Sequence, residues 1–140
     1  MPGIVVDTSV FISALRSKRG ASYRLLELLI DAHWVLNMSV ALALEYEMVG
    51  KREANKLGIP GSAVDDIVDT LCGISRHHAV RFRLRPEIPD PNDEFVLDLA
   101  FVSRSDFIVT HNVRHFRAAE RFGIAVVTPG EFLGTMGIKP

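Results

Sequence analysis

Residues Pro2–Ser13 read PGIVVDTSVFIS. Ile4, Val5 and Val6 form a β-branched run, the residue type that fits a short buried strand. Asp7 follows at once, and Thr8 and Ser9 are suited to start a helix through Val10, Phe11 and Ile12. In an open α/β sheet, ligands bind at the carboxyl ends of the strands. Asp7 therefore stands either as a helix cap, a common role for Asp worth about 1 kcal/mol, or as an acid at the functional edge. Other acids able to reach that edge would decide for the second.

Working outward, the chain alternates strands and helices. Strand Gly3–Val6 leads to a helix near Val10–Leu15 and a basic turn, RSKRG, at Arg16–Gly20. Ala21–Ala32 reads as a helix, because Leu25, Leu28 and Leu29 recur at helical spacing. His33–Asn37 is a short strand. Ser39 caps a helix from Val40 to about Leu57, with a break expected at Gly50. After the turn Ile59–Gly61, the pattern Ser62-Ala-Val-Asp65 resembles a capping box, and that helix runs to about Ile74. Ala79–Leu84 alternates apolar and basic residues, the pattern of an edge strand. Pro86, Pro89 and Pro91 then break the chain, and Asp90 belongs to that turn. Asp93 starts a helix to about Ser103. Phe107–Thr110 is a buried strand, followed by a short helix near Val113–Phe122 and a last strand, Ala125–Thr128. Pro129 opens the final helix from its first position. Alternating β and α elements imply a mostly parallel sheet with helices on both faces.

The 140 residues fit one domain, 1–140. The composition is that of a globular chain, 48% hydrophobic and 24% charged. No apolar run approaches the roughly 20 residues that span a bilayer. The N-terminus lacks the pattern of a secretory signal, and the single cysteine, Cys72, excludes an intramolecular disulfide. These features set the expectation of a cytoplasmic protein with no membrane partner. Cys72 itself reads as a buried small hydrophobe. The net charge of −1 excludes nucleic-acid binding by bulk charge alone. A nucleic-acid enzyme would need clustered basic residues or metal ions to offset its acids.

Three further positions answer the question raised by Asp7. Glu45 has Ala41, Leu42, Met48 and Val49 as its helical neighbours, all apolar. A carboxylate on such a face is costly unless paired or bound to metal; the alternative is a boundary Glu that reaches water past Ala41. Glu47, two residues on, has Lys51 at i+4 and needs no function. Asp93 starts its helix and reads either as an N-cap or as an acid at the helix N-terminus pointing towards the strand ends. Glu94 and Asp98 lie one turn apart and read as a solvated face. Asn112 directly follows the strand ending FIVT, on the edge shared with Asp7. An amide oxygen there can ligate a hard cation or bind water. Ser9 and Thr110 are placed to orient the acids by hydrogen bonds. Three carboxylates without cysteines favour Mg²⁺ or Mn²⁺, since hard cations prefer oxygen. The histidines do not make a zinc site: His111 and His115 lack a third partner.

At this point the chain resembles the PIN-domain family of metal-dependent ribonucleases. VVDTSVFIS is similar to the family's first motif, with Asp7 as its acid. SVALALEYEMVG resembles the helix of the second, Glu45, and DPNDEFVLDLA the third, Asp93. DFIVTHNVRHF resembles the strand and turn of the fourth position, here Asn112, and TPGEFL a typical last strand-to-helix junction. The resemblance implies a three-layer α/β/α sandwich with a central parallel sheet. It implies an endoribonuclease that hydrolyses single-stranded RNA, with Asp7, Glu45, Asp93 and Asn112 holding one or two Mg²⁺ or Mn²⁺ ions. Ser9, Thr110 and Arg114 are then expected to meet the substrate, and the RSKRG turn to contact phosphates. Arg76, Arg81, Arg83 and Arg85 read as a solvated face. Lys51–Ile74 resembles the subgroup described as toxins of toxin–antitoxin pairs, which makes an antitoxin protein an expected partner. The apolar stripe Leu25–Ile30 serves a core or a homodimer equally. Many family members have Asp at the fourth position and an acid three residues on, where this chain has Asn112 and His115.

Two other classes compete. A binding module that keeps the fold without the chemistry is favoured by Asn112. An acid-based phosphotransfer fold is disfavoured: a phosphatase would want DxD where Asp7 is followed by Thr8 and Ser9. A receiver would want a Lys after a late strand, and the only late one is Lys139.

Overall fold

The computed structural model describes residues 1–81 and 91–138. Five strands form one sheet: β1 (Gly3–Val6), β2 (Val35–Met38), β3 (Arg76–His77), β4 (Phe107–Val109) and β5 (Ala125–Val127). Their spatial order is β3-β2-β1-β4-β5, and every pairing is parallel. The helices are α1 (Thr8–Arg16), α2 (Ala21–Ile30), α3 (Val40–Leu57), α4 (Gly61–Ile74), α5 (Pro91–Val102) and α6 (Pro129–Thr135), with a 3-10 segment at Val113–Phe122. Helices α1–α4 pack on one another, α6 packs on α2, and α5 packs against the 3-10 segment and the central strands. This is the expected three-layer α/β/α arrangement.

The strand order has one functional consequence. From β1 the chain builds the sheet outward through β2 to β3, then returns to build the other half through β4 and β5. The direction reverses between β1 and β4. At such a switch point the two connections leave in opposite directions and open a crevice at the carboxyl ends of the strands. Register puts the same level of both strands at that crevice, since Val6 pairs with Val109. The next residues are Asp7 and Thr110.

The core explains why these segments hold their places. Ile4, Val5 and Val6 are at most 1% exposed, as expected of a central parallel strand covered on both faces. On one face, Phe11 of α1 stacks on Tyr46 of α3, ring centroids 4.8 Å apart and planes within 5°. Ser39 caps α3 by accepting the Leu42 N–H at 3.2 Å, as its sequence position implies. Arg16 pairs with Glu53 at 2.8 Å and ties α1 to α3, while Lys51 bridges Glu47 and Asp65 at 3.1 and 2.9 Å and ties α3 to α4. The Glu47–Lys51 pair is the one expected from its i, i+4 spacing.

Four expectations need correction. Helix α3 runs unbroken through Gly50. That glycine is buried, and a Cβ there would stand 2.9 Å from both Phe11 Cε2 and Val64 Cγ1. It is a close approach of three helices, not a break. Helix α4 starts at Gly61 with Pro60 at the cap position and no side-chain cap, so Ser62 does not open it. The third strand is Arg76–His77, since residues 79–81 are not strand. The rest of the expected Ala79–Leu84 strand, the proline turn with Asp90, Arg83, Arg85 and Lys139 lie outside the described residues. Cys72 is half-buried against the core rather than sealed in it.

Candidate active site

The carboxylate of Asp7 is held by a relay that begins in the backbone. The Asp7 N–H donates to Val109 O at 2.9 Å and extends the β1–β4 ladder by one residue. Asp7 occupies the cap position of α1, yet its side chain makes no cap bond. It accepts instead from two hydroxyls: Ser9 Oγ and Thr110 Oγ1 each donate to Asp7 Oδ2 at 2.7 Å. The same hydroxyls accept backbone N–H groups, His111 to Ser9 Oγ at 3.1 Å and Asn112 to Thr110 Oγ1 at 2.9 Å. A hydroxyl has one proton, so accepting from the backbone directs that proton to the carboxylate. Asp7 is only 5% exposed; two hydrogen bonds offset much of the cost of burying its charge. Both bonds fall on Oδ2, which leaves Oδ1 outside the relay. The helix-cap alternative for Asp7 is thereby removed.

Tyr46, next to Glu45 on α3, ties that helix to the end of β1 that carries Asp7. The buried Tyr46 hydroxyl donates to Val6 O, at the end of β1. Its proton is held well above the usual value of 10.0, first by burial and then by the negative charges of Asp7 and Glu45, with a smaller effect of Cys72. Two carboxylates thus act on one phenol. The apolar face expected around Glu45 is only partly present. Leu42 is buried but Met48 is 60% exposed, so Glu45 is half-buried at a boundary, with Oε2 closed off from solvent.

The raised Tyr46 value has a measurable consequence. In the unfolded chain the phenol releases its proton near 10, and in the folded protein only above that. Its contribution to stability is complete below pH 10 and is lost as pH rises through the folded value. Wild-type stability should fall more steeply above about pH 10 than that of Tyr46→Phe. The variant should start about 1 kcal/mol lower, from the lost bond to Val6. Urea midpoints measured across this range check both statements; parallel curves would contradict them.

Asp93 is buried in the first turn of α5. His115 Nδ1 lies 3.0 Å from Asp93 Oδ2, and the imidazole is part-exposed. The sequence marks His115 as half of an incomplete zinc pair and as a departure from an acid, and neither reading points to Asp93. The two histidines indeed part company: His111 Nε2 hydrogen-bonds Ser22 Oγ at 2.9 Å on α2. Glu94 and Asp98 are also buried, at 0% and 4% exposure, which overturns their reading as a solvated face. Helix α5 packs against β1, β2, β4 and α3, so it has too little free surface to leave them in water. Asn112 and Arg114 are exposed. Asn112 stands at the cap position of the 3-10 segment without a side-chain cap bond.

These residues define what the crevice can bind. Asp7 stands at the crevice, and the sequence-predicted positions Asp7, Glu45, Asp93 and Asn112 carry oxygen donors of the kind that suit a hard divalent cation. Among the described residues, no three His, Cys, Asp or Glu side chains are grouped closely enough to hold a metal ion as they stand. Beside Asp7, an open groove of about 410 Å³ runs along α1, lined by Thr8, Ser9, Ile12, Ser13, Arg16, Val49 and His111. It offers an apolar floor and a rim of hydroxyl, imidazole and guanidinium groups.

A parallel sheet with buried acids at its switch point is an α/β architecture built to act on a ligand at the strand ends. The model of the PIN domain matches residues 3–114. The chain belongs to the PIN-domain family. Proteins of this family are generally nucleases that bind nucleic acid and use divalent metal ions. No curated protein matches the chain significantly. Among the described residues, no helix is long and apolar enough to cross a membrane.

Proposed function

We propose that this chain is a Mg²⁺- or Mn²⁺-dependent endoribonuclease that hydrolyses phosphodiester bonds of single-stranded RNA. The observation that carries this reading is Asp7: a buried carboxylate at the switch point, aimed by two relayed hydroxyls. Asp7, Glu45 and Asp93 are the residues that would hold the cation, with Asn112 offering an amide oxygen. A bound divalent cation lowers the pKa of water and offsets the charge that builds on the phosphate. Ser9 and Thr110 fix the direction of the Asp7 carboxylate. Either Glu45 or Asp93 is placed to accept a proton. Arg114, exposed beside Asn112, and the basic turn after α1 supply cations for the phosphates on either side. The groove along α1 gives the strand a path that leads to Asp7.

The remaining parts of the reading rest on the sequence alone. Residues 1–140 form one domain, and Lys51–Ile74 supports a toxin of a toxin–antitoxin pair that acts in the cytoplasm. An antitoxin protein is the partner that the resemblance of this segment implies; the stripe that would serve a homodimer is buried at Leu25, Leu26, Leu28 and Leu29 and serves the core. Growth arrest on expression, relieved by Asp7→Asn, tests the toxin role.

The activity is tested by incubating labelled single-stranded RNA with the protein in Mn²⁺, in Mg²⁺ and in EDTA. Cleavage is expected with either cation, to stop in EDTA, and to return when the cation is restored. Undiminished cleavage in EDTA would falsify the metal-dependent mechanism. A second reading, a binding module without chemistry, draws on Asn112, an amide at a position suited to a carboxylate. RNA bound but left intact in all three conditions would favour it.

A further inference from the structure

We infer that the groove along α1 is a subsite for one unpaired base, and that His111 is the platform on which that base stacks. The inference rests on the reading above, in which the groove leads single-stranded RNA to Asp7, and adds what the groove recognises. Three segments build its walls. Helix α1 contributes Ser9, Ile12, Ser13 and Arg16, which share one helix face by their spacing. Val49 comes from α3, and His111 from the turn after β4. His111 is exposed, yet it is held at two points. Its backbone N–H donates to Ser9 Oγ at 3.1 Å, the hydroxyl that itself donates to Asp7. Its ring Nε2 hydrogen-bonds Ser22 Oγ at 2.9 Å, and Ser22 is buried on α2.

An exposed side chain loses rotamer freedom when a ligand fixes it. The Ser22 anchor removes that freedom beforehand, and such preorganisation raises affinity. A hydrogen bond to a ring nitrogen lies in the plane of the imidazole, so it leaves the aromatic face to a flat partner. Bases of single-stranded nucleic acid are such partners, and they stack on histidine as on other aromatic rings. Ile12 and Val49 supply apolar contact for the base, and Ser9 and Ser13 supply hydroxyls. Charge at the far end of α1 fits the same occupant. Arg16 pairs with Glu53, but Lys18 and Arg19, exposed in the turn that follows, make no ion pair among the described residues. They are left to meet phosphates where the strand leaves the groove. A base inside a duplex has both faces covered by its neighbours and cannot take the His111 face. The subsite therefore selects unpaired RNA, and Ser22 is its positioning residue.

Fluorescence anisotropy of a labelled single-stranded RNA in EDTA reads this binding without cleavage. Wild type should bind it about tenfold more tightly than an abasic strand of the same length, and at least about tenfold more tightly than the same RNA in a duplex. His111→Ala should lose about tenfold on the intact strand and nothing on the abasic one. His111→Phe keeps a ring and should stay within about threefold of wild type. Ser22→Ala frees the ring and should lose about threefold, again on the intact strand alone. Thermal melts confirm that each variant is folded. Equal affinity of wild type for intact and abasic strands overturns the subsite, even if the protein cleaves RNA in Mn²⁺. A folded His111→Ala that binds intact RNA as wild type does overturns the role of His111. So does an equal loss on both strands, which would make the residue a support for its loop. Base-dependent binding through His111 without cleavage in Mn²⁺ or Mg²⁺ sustains the subsite and overturns the nuclease reading.

Discussion

Asp7→Asn is expected to lower RNA cleavage by about 10³-fold or more while leaving the melting temperature within a few degrees of wild type. The structure explains why charge and fold separate at this position. The amide oxygen of Asn accepts the Ser9 and Thr110 hydroxyl protons as Asp7 Oδ2 does, so the relay from the His111 and Asn112 amides survives. The backbone bond to Val109 is untouched. What changes is the atom outside the relay. An anionic Oδ1 becomes an uncharged NH₂ that donates hydrogen bonds and repels a cation. The measurements are initial rates on labelled RNA and a thermal melt of the same preparation. Cleavage retained within threefold would remove Asp7 from the mechanism; a melt lowered by more than about 8 °C would show that the charge is structural.

The contrast with Thr110→Val sharpens that experiment. Valine keeps the shape but removes one of the two donors and strands the Asn112 amide. Its effect should fall on both readouts: a loss of about 1–3 kcal/mol in stability, because the buried Asp7 carboxylate loses one of its two donors, together with slower cleavage. Asp7→Asn should move the rate alone.

Local patterns were legible in the sequence; contacts between distant segments were not. Asp7 could be found because a β-branched run closed by an acid is a feature of four consecutive residues. Even the choice of Glu45 over Glu47 was local, since a lysine at i+4 accounts for the second and not the first. The relay on Asp7 joins Ser9 to Thr110, residues 101 apart, and the Asp93–His115 contact spans 22. Neither has a periodic trace. Glu94 and Asp98 show the converse failure. Their one-turn spacing correctly put them on one face, but polarity was taken to mean solvent. On a helix packed between the sheet, α3 and the 3-10 segment, that face is interior. Glycine misled for a related reason. Gly50 reads as a break because glycine weakens a helix by about 1 kcal/mol relative to alanine, yet its missing side chain is what lets α1, α3 and α4 meet.

That meeting point gives the largest expected effect on stability. Phe11→Ala should cost about 3–5 kcal/mol, the usual price of emptying a buried aromatic site. Phe11 is fully buried and stacks flat on Tyr46, so the loss includes a ring contact beyond the area buried. Gly50→Ala places a methyl 2.9 Å from Phe11 Cε2 and Val64 Cγ1. The ring is pinned by its stack and the valine is stiff, so neither yields easily. Overpacking of about 1–3 kcal/mol should outweigh the helix-propensity gain, and Gly50→Ala should destabilise. The two substitutions are not independent. Once Phe11 is removed, half of the clash disappears and the new methyl enters the space the ring left. The double variant should therefore be more stable than the sum of the singles predicts, with a coupling of at least about 1 kcal/mol. Urea denaturation of the four proteins measures it. Strict additivity would mean that α1 and α3 move apart to accommodate the methyl. Tyr46 would then lose its register on Val6, and the distance between Asp7 and Glu45 would be set by something other than this packing.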